Sequence, residues 1–162
     1  MFFTHNSPPL DSIIFWFLKR SINLYGEALI KTLSYQLTKT GDTDSGASVI
    51  KRFWSTHGID PASLNIIDGS GLSPANRVTV SALVQVMQFA KKQNWFPSFY
   101  NALPEINGIK MKSGSIGGGV SYTGYMKDKN GNDYTFSFIV NNFDGDANEV
   151  RKKMWALLDI LK

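Results

Sequence analysis

The chain has 162 residues, 43% hydrophobic and 13% aromatic, enough for the core of one globular domain and far from a disordered composition. Its 17 Lys and Arg against 13 Asp and Glu leave +4, scattered over Lys19-Arg20, Lys51-Arg52, Lys91-Lys92 and Arg151-Lys152-Lys153 among apolar neighbours; these read as solvated helix faces, and no nucleic-acid partner is expected. Cysteine is absent, which excludes disulfides and thiolate chemistry, and His5 and His57 stand alone, so neither a metal site nor any cofactor is expected.

The apolar start Met1-Phe2-Phe3 is ended at once by His5-Asn6-Ser7-Pro8-Pro9, which gives no legible signal peptide. Pro8-Pro9 opens a short, largely buried helix over Leu10–Leu18, whose apolar run Ile13–Leu18 is far too short to span a bilayer. Ser21 is suited to cap a second helix running to about Lys39, with Leu24, Ala28, Leu29, Leu33 and Leu37 at helical spacing and Gly41 as its stop. Asp42 to Gly46 reads as a polar loop, and Ala47–His57 as a third helix ended by Gly58. Asp68-Gly69-Ser70-Gly71-Leu72-Ser73-Pro74 is rich in turn formers. Thr79 then caps a helix carrying Leu83, Val84, Met87 and Phe89-Ala90, and Trp95 to Leu103 is a short helix or irregular segment.

Beyond Pro104 the periodicity changes to two. Ile109–Lys112, Val120–Lys127 and Asp133–Val140 alternate as three strands, with a glycine-rich turn after the first. Asn130-Gly131 between the last two predicts a type I′ hairpin. Ala147–Leu161 closes the chain as an amphipathic helix. The expected fold is therefore α+β, a three-stranded antiparallel sheet packed on helices, in one domain over residues 1–162.

Serine acyl-transfer enzymes of the penicillin-binding and β-lactamase type use the patterns S-x-x-K, S-x-N and K-[ST]-G. S-x-x-K occurs at Ser48–Lys51, S-x-N at Ser21–Asn23 and Ser63–Asn65, and K-[ST]-G at Lys39–Gly41 and Lys112–Gly114. Context separates them. Lys112 sits at the end of an alternating strand before the glycine-rich turn, where an ammonium can meet a substrate carboxylate. Lys39 reads as a helix C-terminus, where a cation suits the dipole. Ser48 lies inside a surface helix only fifteen residues before Ser63, too close for the two to form opposite walls of a cleft.

Longer stretches narrow the choice. Ser7-Pro8-Pro9-Leu10, Ser21-Ile22-Asn23-Leu24-Tyr25-Gly26-Glu27-Ala28-Leu29, Asp68 to Ser73 and Lys112-Ser113-Gly114-Ser115 resemble, in order, the D-Ala-D-Ala carboxypeptidase/endopeptidase family of the penicillin-binding protein 4 type, peptidase family S13. The resemblance implies part of a penicillin-binding or β-lactamase-type transpeptidase domain that acts on peptidoglycan stem peptides through an acyl-enzyme and binds β-lactams. It implies a periplasmic or otherwise extracytoplasmic location. It implies catalytic roles for Ser21 (proton relay), Asn23 (substrate amide) and Lys112, and substrate binding by Ser113, Gly114 and Ser115. Lys112 and Ser113 would hold the terminal carboxylate, and the Ser115 N–H would be an oxyanion donor.

The same resemblance sets an expectation of incompleteness. In the family the S-x-x-K nucleophile and two sheet strands lie well before S-x-N, whereas this chain starts about twenty residues before it. The chain alone is expected to form no acyl-enzyme, and its last strand to keep an unpaired edge that favours a homodimer or a rearranged N-terminus. Alternative readings are a non-catalytic module that binds peptidoglycan peptides, a small serine hydrolase using Ser48 and Lys51, and an unrelated structural α+β domain.

Overall fold

A computed structural model describes residues 3–162, so the start of the apolar run at Met1 and Phe2 lies outside the described residues. The first three helices are α1 (Leu10–Arg20), α2 (Asn23–Thr38) and α3 (Thr43–Thr56). A 3-10 turn at Pro61–Ser63 follows, then a small antiparallel ribbon of β1 (Leu64–Asn65) and β2 (Arg77–Val78). Next come α4 (Val80–Lys91), α5 (Phe96–Ala102), the strands β3 (Glu105–Ile106), β4 (Ile109–Ile116), β5 (Gly119–Lys127) and β6 (Asp133–Asn141), and finally α6 (Ala147–Leu161).

The main sheet is antiparallel in the order β3-β4-β5-β6. It has four strands rather than the expected three, because the two-residue β3 pairs with the start of β4 through Glu105↔Lys110 and Ile106↔Ile109. So short a strand leaves no period in the sequence. Strand alternation gives the sheet two unlike faces. Ile109, Met111, Val120, Tyr122 and Met126 are buried together with Met154 and Leu158 of α6. Lys110, Lys112, Thr123 and Tyr125 fall on the opposite face, where Tyr125, Met87 and Leu103 form a second cluster and the Tyr125 hydroxyl donates to the Met87 carbonyl at 2.7 Å.

Several local expectations change. Ser21 does not cap α2; that position is Ile22, which makes no side-chain cap, and Ser21 ends α1 in the left-handed region (φ 53°, ψ 51°). α1 is not largely buried: none of its residues is, and Trp16 is 47% exposed. α3 starts four residues early, since Asp42 caps it by accepting from the Ser45 N–H at 2.7 Å, turning the supposed loop into a first helical turn. At Asn130-Gly131 only Gly131 has positive φ (84°). Its N–H donates to Asp128 O and the Asp128 N–H to Asn132 O, both at 3.0 Å, which describes a type I turn with a glycine bulge rather than type I′.

Candidate active site

α1 and α2 meet at Ser21-Ile22, and that junction is held from the side. A Cβ on Gly26 would lie 2.3 Å from Gly69 O, and one on Gly69 would lie 2.1 Å from Gly26 O, so the first turn of α2 and the Asp68–Ser73 loop touch backbone to backbone. Glu27 Oε1 accepts from the Ser70 N–H at 2.9 Å. Inside the loop, Asp68 accepts from the N–H groups of Gly71 and Ser73 and from the Asn76 amide. Desolvation works to raise the Asp68 pKa, but these hydrogen bonds outweigh it and hold the carboxyl below its ordinary value. The loop is thus pre-formed and locked onto α2.

Lys112 lies in the middle of β4 rather than at its end, since the strand continues to Ile116 before the Gly117-Gly118 turn. On the helical face of the sheet its Nζ donates to Ser21 Oγ at 2.8 Å and to Ser113 O at 2.9 Å. Residues 91 apart in the chain are thereby joined at the junction of α1 with α2. Burial lowers the Lys112 ammonium from its ordinary pKa of 10.5. A serine with left-handed backbone is strained, by about 1 kcal/mol, and here the strained residue carries the hydroxyl that meets the lysine. Asn23 opens α2 beside it, exposed and, among the described residues, without a side-chain hydrogen bond.

β4 beyond Met111 presents an open edge. The Met111 N–H donates to Pro104 O, away from β5, so in the antiparallel ladder the N–H groups of Ser113 and Ser115 point the same way. No described strand pairs there. Ser113, Gly114 and Ser115 are all exposed. By alternation the Ser113 and Ser115 side chains share the α6 face, not the Lys112 face, and Ser115 Oγ accepts from Arg151 Nη2 at 2.9 Å. Arg151, read from sequence as part of a solvated basic run, instead reaches this strand edge. Its partner is 36 residues away in sequence, and no local pattern points to it.

The competing motifs stay apart from this site. Ser48 is exposed on α3 and lines a groove of about 270 Å³ with Thr38, Asp44, Ser45, Val49 and Arg52. No hydrogen bond among the described residues joins it to Lys51 or Lys112. Lys39 is the left-handed C-cap of α2. The His57 ring packs against Phe53 and Phe89, with Nδ1 2.7 Å from Phe53 O.

Comparison with known proteins agrees with this architecture. D-alanyl-D-alanine carboxypeptidase of Actinomadura sp. strain R39 is 27% identical over 88% of this chain and 30% of its own length. D-alanyl-D-alanine carboxypeptidase DacB of Haemophilus influenzae is 24% identical over 92% of this chain and 35% of its own. The chain therefore spans about a third of these relatives. Among solved structures, penicillin binding protein 4 of Haemophilus influenzae in complex with a β-lactam superposes with a TM-score of 0.84 at 21% identity, covering 98% of this chain and 42% of that one. A predatory peptidoglycan endopeptidase of Bdellovibrio bacteriovorus gives 0.65 at 16%, covering 94% of this chain and 43% of that one. The sequence profile of the D-Ala-D-Ala carboxypeptidase 3 (S13) family matches residues 1–108 of the 162, and the chain belongs to that family.

Proposed function

We propose that this chain forms the substrate-holding wall of a serine-type D-Ala-D-Ala carboxypeptidase/endopeptidase site that acts on peptidoglycan stem peptides and is acylated by β-lactams. The observation that carries it is the 2.8 Å contact of Lys112 Nζ with Ser21 Oγ, which brings the S-x-N and K-[ST]-G segments together beside an open strand edge. In this reading an extended peptide ending in D-Ala-D-Ala lies along β4. The exposed Asn23 amide hydrogen-bonds its backbone, and the Lys112 ammonium and Ser113 attract its terminal carboxylate. The Ser115 N–H, free and directed out of the sheet, meets negative charge developing on the scissile carbonyl oxygen. Ser21 Oγ, between Lys112 and the leaving nitrogen, relays the proton. Such a substrate lies outside the cytoplasm, which puts the protein in the periplasm or an equivalent compartment.

The attacking serine is a separate matter. Ser48-Val49-Ile50-Lys51 is the one S-x-x-K of the sequence, and it sits on α3 with no link to Ser21 or Lys112. The 162-residue chain by itself accordingly holds peptide without cleaving it. Incubation with a fluorescent penicillin followed by denaturing electrophoresis is expected to show no covalent band. A band that disappears in Ser48→Ala would support the small-hydrolase reading instead. A stem peptide ending in D-Ala-D-Ala is expected to shift the amide signals of Ser113 and Ser115; no shift at these residues would sink the proposal. Self-association through the unpaired side of β6 belongs to the same reading, because no described strand covers it.

A further inference from the structure

We infer that Arg151 of α6 is a specificity-determining residue of this cleft, a second cation that anchors the terminal carboxylate of the peptide at the Ser113–Ser115 edge. The inference rests on the proposed function and extends it to a residue in none of the motifs.

Arg151 stands one position round α6 from Val150 and Met154, which pack on the sheet, so its side chain leaves the core at the β4 margin. Nη1 donates to Asn148 Oδ1 and Nη2 to Ser115 Oγ, each at 2.9 Å. Both acceptors are neutral. No carboxylate lies within salt-bridge distance among the described residues, whereas Lys152 next to it is paired with Glu149 at 2.8 Å. The guanidinium is thus braced from two sides with its charge uncompensated, and its fork still has N–H groups to offer. That is the state in which arginine recognises a carboxylate.

Its place relative to Lys112 matters as much. Lys112 Nζ reaches the edge at the Ser113 carbonyl and Arg151 Nη2 reaches it at the Ser115 hydroxyl, two residues along the same strand. They approach from opposite faces of the sheet, since Lys112 and Ser115 alternate in the pleat. A carboxylate at the open edge between them meets a cation from each face and the outward N–H of Ser113, while the Ser115 N–H stays with the scissile carbonyl. A peptide ending in an amide meets the same N–H but gains nothing from either charge. Arg151 therefore selects substrates with a free C-terminal carboxylate.

The test uses the whole chain, amide-resolved NMR, acetate as the carboxylate probe and acetamide as its neutral counterpart. Acetate, but not acetamide, is expected to shift the Ser113 and Ser115 amides. Arg151→Gln is expected to weaken acetate about tenfold, the size of one charge-assisted hydrogen bond. Arg151→Lys, which keeps the charge and loses the fork, is expected to fall between. Asn148→Ala, which leaves the charge but removes the brace, should weaken acetate less and serves should Arg151→Gln not fold, which the same spectra report. Equal acetate affinity in the wild type, Arg151→Gln and Asn148→Ala would overturn the role of Arg151 and leave the Lys112 site standing. No acetate-dependent shift at Ser113 or Ser115 in the wild type would overturn the anion site itself and the carboxylate role of Lys112 with it.

Discussion

At the scale of single residues, the proposed chemistry concentrates on Ser21 and Lys112, which the structure brings into contact. Ser21 has a backbone that glycine adopts freely, so its presence is explained by its hydroxyl and not by the turn. Ser21→Ala and Ser21→Gly both remove the partner of Lys112 but differ in backbone strain. Chemical denaturation is expected to find the glycine variant more stable by about 1 kcal/mol. Equal stabilities would mean the left-handed geometry carries no strain. Lys112 makes a second prediction, with a definite sign. Its folded-state pKa lies below 10.5 because burial disfavours the charge, so the unfolded chain holds that proton to higher pH. The contribution of Lys112 to stability therefore rises with pH across the window below 10.5. Lys127 moves the other way, held above 10.5 by its hydrogen bond and ion pair with Asp133 at 2.7 Å. Titration of lysine side-chain carbon signals should find Lys112 losing its proton first and Lys127 late; the reverse order would refute both assignments. Both motif residues were legible in the sequence because each sits in a longer family segment. Arg151 was not, because nothing near it in the chain distinguishes it from a basic residue on a wet helix face.

Among the elements, the contact of α2 with the Asp68–Ser73 loop sets the position of the Ser21-Ile22-Asn23 junction. Two carbonyls fill the space a methyl group needs at Gly26 and Gly69, and neither neighbour is a flexible side chain. Gly69→Ala is expected to destabilise the fold by about 1–3 kcal/mol through overpacking. Gly117→Ala, where a Cβ meets nothing within 4 Å and φ is not positive, is expected to be neutral within about 0.5 kcal/mol in the same melts. A neutral Gly69→Ala would show that the loop floats on α2 and does not fix the site. The turn formers of this loop are legible in the sequence, whereas the Gly26–Gly69 approach that seats it on α2 is a contact between distant residues and is not. The Asn130-Gly131 turn was misjudged for a related reason. An Asn-Gly pair serves a two-residue type I′ loop and a three-residue loop with a glycine bulge equally well. The strand register decides, and here Lys127↔Asp133 leaves a loop one residue too long for type I′.

For the molecule as a whole, the sheet has one open edge on β4 beyond its pairing with β3 and another on β6, among the described residues. The ladder parity that turns the N–H groups of Ser113 and Ser115 outward on β4 also turns those of Thr135, Ser137 and Ile139 outward on β6. Phe136, Phe138 and Val140 are only partly buried against α6. A long edge beside half-covered apolar residues pairs readily with another strand. Light scattering over a concentration series is expected to show a dimer that Thr135→Pro weakens, since proline there removes an outward N–H and no ladder bond. A monodisperse monomer at high concentration would remove self-association from the account. α1 poses the same problem in helical form, with Leu10 61% and Trp16 47% exposed. Among the described residues no helix is long and apolar enough to cross a membrane, so this exposed surface is not a bilayer span.

The α+β class, the helices α1–α4 and α6 to within a few residues, the three long strands and the family were legible in the sequence, because helical and strand periods and the order of motif segments are properties of the chain read locally; α5 was left open between a short helix and an irregular segment. The fold alone shows that Ser21 and Lys112 touch, that Ser21 ends one helix instead of capping the next, and that Arg151 reaches the strand edge. Each of those depends on a contact between residues far apart in the chain. Such contacts are set by how the pleat of β4, the backbone contact of α2 with its loop and the seat of α6 on the sheet come together, and no local pattern records them.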